Sequence, residues 1–101
     1  MGLRNEYSTE TSHEEELQEP EKYKVILLND DYTSMDFVVE ILVTIFHHSI
    51  EKAVNIMLKI HREGEGVCGV YTYEIAETKV EQVRKKAREN EYPLRVRMEK
   101  A

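Results

Sequence analysis

A short apolar run, Tyr23-Lys24-Val25-Ile26-Leu27-Leu28, stops abruptly on Asn29-Asp30-Asp31. Its length and its polar boundaries predict a central, buried strand. A helical pattern opens immediately afterwards, at Thr33 or Ser34. Two carboxylates and an amide therefore stand at a strand-to-helix junction, on a rigid base. Such a spot is rich in hydrogen-bond acceptors and suits a cation. The rest of the chain can be read by asking what supplies a third acceptor and what lies beside it.

Helix and strand signals then alternate. Thr33, with Asp36 three residues later, resembles a capping box. Met35, Val38, Leu42, Ile45 and Phe46 follow helical spacing to about His47. Ser49 is a second candidate N-cap, and Ile50, Ala53, Met57 and Ile60 share one face of a helix running to about Arg62. His61 follows Met57 by four residues, so the two stack on that helix. Gly64-Glu65-Gly66 breaks the pattern, and Val67 to Tyr73 is rich in strand formers. Thr72 could cap a third helix that carries Ala76, Val80, Val83 and Ala87 and ends near Glu89-Asn90. Leu94-Arg95-Val96-Arg97-Met98 alternates strictly, predicting a half-buried strand with Leu94, Val96 and Met98 inward. The expected order is β-α-α-β-α-β. This is an α+β domain over residues 22–101, a small three-stranded antiparallel sheet packed against three helices.

Residues 1–21 lack such periodicity. Residues 1–22 hold seven Glu against Arg4 and Lys22, a net of −5 out of −6 for the whole chain. A stretch of this kind buries too little apolar surface to offset its ordering entropy, so a disordered acidic tail is expected. It solubilises the domain or reaches into a partner. The remainder is nearly neutral, which argues against nucleic-acid and membrane partners. No apolar run approaches the ~20 residues of a membrane helix. One cysteine, Cys68, allows no internal disulfide, which fits a reducing cytoplasm.

Several patterns invite chemistry. Gly64-Glu65-Gly66-Val67-Cys68-Gly69 matches the dinucleotide fingerprint G-x-G-x-x-G, but a helix precedes it and a strand follows, the reverse of what phosphate binding needs. A flexible connector is the expected reading. His47 and His48 are adjacent at a helix end, where a cation meets the helix dipole. One cysteine and no H-x-x-x-H pair assemble no zinc set, and no cofactor is implied. The basic residues Lys79, Arg84, Lys85, Lys86 and Arg88 are mixed with glutamates and read as a solvated face. Asp30, Asp31 and His61 could form the acid-base set of a small hydrolase or a metal-dependent enzyme, although no nucleophile stands near them. Asn29-Asp30-Asp31 could also be a plain turn held by side-chain hydrogen bonds.

The motifs Tyr23 to Met35, Cys68-Gly69-Val70, Ala76 to Val80 and Ala87-Arg88-Glu89-Asn90, in this order, resemble the ClpS family. ClpS is the adaptor of the ClpAP-type ATP-dependent protease and selects N-degron substrates. The resemblance spans residues 22–101. Ser34 departs from it, standing where the family commonly has proline. The resemblance implies a non-enzymatic protein that binds a free N-terminal Leu, Phe, Tyr or Trp. Asn29, Asp31 and His61 would hold the α-ammonium group, with Asp30 at the rim. Thr33, Met35, Val38, Met57, Ile60 and Leu94 would line the side-chain pocket, Met35 being the gate against β-branched residues. Glu74 and Lys79 would face the N-terminal domain of the ClpA-type unfoldase.

Overall fold

The computed structural model describes residues 19–101. The acidic leader expected over residues 1–21 lies outside them for its first 18 positions. The elements are β1 (Lys22–Leu28), α1 (Met35–Thr44), α2 (Ile50–Glu63), β2 (Glu65–Thr72), α3 (Tyr73–Glu89) and β3 (Arg95–Lys100). The β-α-α-β-α-β order is the one read from the sequence.

The strand order is β2-β1-β3, all antiparallel. The most apolar strand is thus the central one, with Val25 and Leu27 fully buried. Leu28 pairs with Glu65 on one side and Arg95 on the other, so all three strands meet at the end of β1. A register shift between Val25 and Ile26 interrupts the β1–β2 ladder. α3 contacts all three strands, α2 packs on β2, and α1 packs on α2. The α3 face that meets the sheet carries Ala76, Val80, Val83 and Ala87, all buried as their spacing predicts. Two alanines on that stripe let the helix lie close to the sheet. Each buried valine contributes roughly 1.5–3 kcal/mol through removal of apolar surface from water.

Differences from the sequence reading are local. The hydroxyl that caps α1 belongs to Ser34, whose Oγ accepts the Phe37 N–H at 3.1 Å. Thr33 is unavailable because its own hydroxyl donates to Asp30 at 2.8 Å. α1 stops at Thr44, earlier than its apolar spacing suggests, since His47 takes a left-handed φ of 62° and the His48 N–H turns back to the Leu42 carbonyl at 3.1 Å. The two histidines therefore lie beyond the helix, and His48 Nε2 meets the Cys68 carbonyl at 2.6 Å. Ile50, expected inward, is 70% exposed because α2 has only just begun there. Ser49 caps α2 as expected, accepting the Lys52 N–H. Thr72 occupies the cap position of α3 without a side-chain bond.

The glycine-rich segment is not a connector. Gly64 is the C-cap of α2, at φ 92°, and its N–H bonds the Ile60 carbonyl. β2 begins at the very next residue, so the chain passes from helix to strand across a single left-handed glycine. The Gly64 carbonyl accepts the Asn29 N–H at 2.8 Å, joining the end of β1 to the end of α2. An added Cβ at Gly64 would meet no atom within 4 Å, so only its backbone conformation resists substitution. Gly64→Ala should therefore destabilise the domain by about 1–2 kcal/mol, the cost of a left-handed L-residue. Urea unfolding checks this, and an unchanged midpoint would show that the left-handed turn is dispensable.

Candidate functional site

The end of β1, the start of α1 and the last two turns of α2 converge on one hollow of about 240 Å³. Asn29, Asp30, Asp31, Thr33 and His61 form its polar part. Met35, Val38, Met57 and Ile60 form its apolar part. Residues separated by some thirty positions in sequence meet here because the Asn29–Gly64 bond holds the strand end against the end of the helix that carries His61.

The two aspartates have different surroundings. Asp30 folds back on the chain. Its Oδ1 accepts the N–H groups of Tyr32 and Thr33 at 2.8 and 2.7 Å, and its Oδ2 accepts the Thr33 hydroxyl. Burial pushes the Asp30 carboxyl up, but the Thr33 amide and hydroxyl, the Tyr32 amide and the nearby Arg95 charge outweigh it and hold the group below its ordinary value. The turn reading is thus correct for Asp30. Asp31 is exposed, and among the described residues no hydrogen bond engages its side chain or those of Asn29 and His61. Three acceptor-bearing groups therefore border the hollow with their capacity unspent.

The apolar walls come from two helices. Met35 opens α1 and is 45% exposed, so it stands at the rim and not in the core. Val38, one turn on, is buried behind it. Met57 and Ile60 lie on the inner stripe of α2, whose next residue, His61, is exposed. Leu94, expected on the wall, does not border the hollow. It is buried in the central apolar cluster with Val96, because β3 enters the sheet only at Arg95 and the preceding residue turns into the core.

Glu74 and Lys79 lie elsewhere, on α3. Glu74 is exposed in the first turn, beside the half-exposed Tyr73 and Ile75. Lys79 is half-buried. Its Nζ donates to the Ile45 carbonyl at 2.6 Å and sits 5.7 Å from the centre of the Tyr71 ring. The sequence reading missed this role: a lysine that closes the carbonyl-rich end of α1.

The cysteine lies away from the hollow. Cys68 is buried on β2, and burial pushes its thiol up to about 12 despite the Leu27 backbone hydrogen bond. Among the described residues, no three His, Cys, Asp or Glu side chains group closely enough to hold a metal ion. Among the same residues, no helix is long and apolar enough to cross a membrane.

A family model described as ATP-dependent Clp protease adaptor protein ClpS matches residues 18–97. The chain belongs to the ClpS family. A Wolinella succinogenes protein named ATP-dependent Clp protease adapter protein ClpS is 54% identical, over 94% of this chain and 93% of its own length. A protein of the same name from Syntrophus aciditrophicus is 60% identical, over 85% of this chain and 80% of its own. Among solved structures, Agrobacterium tumefaciens ClpS2 bound to L-phenylalaninamide superposes with a TM-score of 0.79. It is 37% identical and covers 82% of this chain and all of its own. These ClpS relatives are named as adaptors of a protease, so the chain is similar to proteins that serve proteolysis as adaptors.

The Asp30 turn predicts a defined acid response. Its bonds favour the charged carboxylate, so its stabilisation is complete above the ordinary value of 3.8 and is lost as pH falls through the lower, folded value. The Tyr32 and Thr33 amide resonances should therefore shift with a midpoint below 3.8. A midpoint at or above that value would remove the carboxylate from the turn.

Proposed function

We propose that the hollow receives the free N-terminus of a protein whose first residue is Leu, Phe, Tyr or Trp, and that the chain hands such proteins to a Clp unfoldase for degradation. One observation carries this reading: unspent acceptors and an apolar socket share a single small hollow. The ligand of the Agrobacterium relative supports it, since L-phenylalaninamide combines a free α-amino group with a bulky apolar side chain.

The chemistry is matched group by group. An α-ammonium offers three donors and one charge. Asn29 supplies a carbonyl oxygen, Asp31 a carboxylate and His61 a ring nitrogen with a lone pair. The carboxylate–ammonium contact is charge-assisted and stronger than a neutral hydrogen bond. Acetylation removes the charge and two donors, and leaves Asp31 desolvated without a partner. Asp30 acts by shape, holding the turn that presents Asp31 and the Thr33 end of the rim.

The side chain of the first residue enters between Met35, Val38, Met57 and Ile60. Burying a Leu or Phe there contributes roughly 1.5–3 kcal/mol. Methionine suits such a wall, because its unbranched thioether adapts to aromatic and aliphatic guests. Apolar burial alone does not separate Leu from Ile, so exclusion of β-branched residues is assigned to a steric clash with Met35 at the rim.

Delivery calls for a second surface. We assign the N-terminal domain of the ClpA-type unfoldase to the α3 face bearing Glu74 and Lys79. Glu74 is free to pair with a partner, with Tyr73 and Ile75 beside it. Lys79 contributes by fixing the end of α1, since its ammonium is already engaged.

Calorimetric titration with peptides differing only in their first residue, with free and acetylated N-termini, tests the reading. Free Leu- and Phe-first peptides should bind and be recovered uncut, whereas acetylated ones should not bind. Asp31→Ala should cost about 2–5 kcal/mol of binding; equal binding of blocked and free peptides, or no loss in Asp31→Ala, would falsify the ammonium site. Met35→Ala should admit Ile- and Val-first peptides, and continued refusal of both would reject the gate.

A further inference from the structure

Gly66 and Gly69 of the 64–69 segment serve packing, and Gly66 lies against a residue that lines the hollow. Gly66 is buried on β2 and pairs with Leu27 of β1, whose side chain fills the core. A Cβ added to Gly66 would lie 2.7 Å from Ile60 Cγ1 and 3.6 Å from its Cδ1, well inside contact distance. The Ile60 backbone nitrogen would be 3.8 Å away, so the last turns of α2 lie directly on the bare backbone of β2. Ile60 is 3% exposed. Ile60 thus meets Gly66 and also lines the hollow, which Gly66 does not.

We infer that Gly66 is a specificity-determining position: by lacking a side chain it lets Ile60 sit back against β2, and so sets how large a first residue the hollow accepts. The inference rests on the hollow being the first-residue pocket. Interiors are close-packed, so an added methyl displaces its neighbour toward whatever space is empty. For Ile60 that space is the hollow. Gly66→Ala therefore narrows the pocket from the α2 wall without replacing any group that meets the ligand amine. Gly69 differs in this respect, because a Cβ there would meet the Tyr71 ring of its own strand, and neither residue borders the hollow.

The test is titration of the full chain and its variants with free Leu-, Phe- and Trp-first peptides of otherwise identical sequence. One methylene in an apolar pocket is worth at least about tenfold in discrimination. Gly66→Ala should lower affinity for Phe- and Trp-first peptides at least about tenfold more than for the Leu-first peptide. Ile60→Ala, which trims the same wall and does not depend on Gly66→Ala folding, should shift the ratio the other way, toward Trp. The double variant Gly66→Ala/Ile60→Ala should keep the ratio of Ile60→Ala, because the Cγ1 and Cδ1 that the added Cβ displaces are gone. An equal loss for all three peptides in Gly66→Ala, or an unchanged Trp-to-Leu ratio in Ile60→Ala, would overturn the inference. Failure of the unaltered chain to bind any free N-terminus would instead overturn the pocket reading on which it stands.

Discussion

One backbone hydrogen bond, from the Asn29 N–H to the Gly64 carbonyl, holds the candidate site together. It joins the point where the central strand ends to the point where the second helix ends. Neither end has a partner of its own there: the strand has run out of ladder, and a helix leaves its final carbonyls free. Each unsatisfied group meets the other. The side chains just beyond the bond, Asn29 and Asp31 on one segment and His61 on the other, are thereby brought to a single hollow. Both segments adjoin regular structure, which fixes where these acceptors stand.

The same corner divides labour between adjacent carboxylates. Asp30 spends its lone pairs on the turn, while no hydrogen bond among the described residues engages the Asp31 side chain. The Ser34 hydroxyl extends the arrangement: it caps α1 and also accepts the Tyr92 hydroxyl at 3.2 Å. Tyr92 in turn packs its ring on Phe37, at 4.6 Å between centroids. The α3–β3 connection is thus fastened to the helix start that carries Met35. A proline at position 34 would offer Tyr92 no hydroxyl.

The opposite end of α1 is closed by charge. The carbonyl of its C-cap residue, Ile45, accepts from the Lys79 ammonium, which also lies over Tyr71. A cation at a helix C-terminus opposes the negative end of the dipole. This contact spans 34 positions and ties α3 to α1. Across the central strand, Arg97 of β3 makes a two-pronged contact with Glu65 of β2, both bonds at 3.0 Å, but that pair is exposed and such contacts add little stability.

The sequence by itself determined the order of elements, the central place of β1 and the buried stripe of α3. Each of these follows from periodicity, and periodicity reports which face of a segment avoids water. The serine cap of α2 was legible for the same local reason: a hydroxyl bonds an amide three residues away. The family resemblance suggested the candidate site residues, and all but Leu94 of those expected at the pocket border one hollow. Only the tertiary structure decided that Ser34 and not Thr33 caps α1, because Asp30 had already claimed Thr33. It alone turned Leu94 into the core, drew Lys79 onto α1 and gave the three glycines their separate tasks. These outcomes depend on groups far apart in the chain competing for the same space or the same hydrogen bond, and no pattern within a single segment records which of them wins.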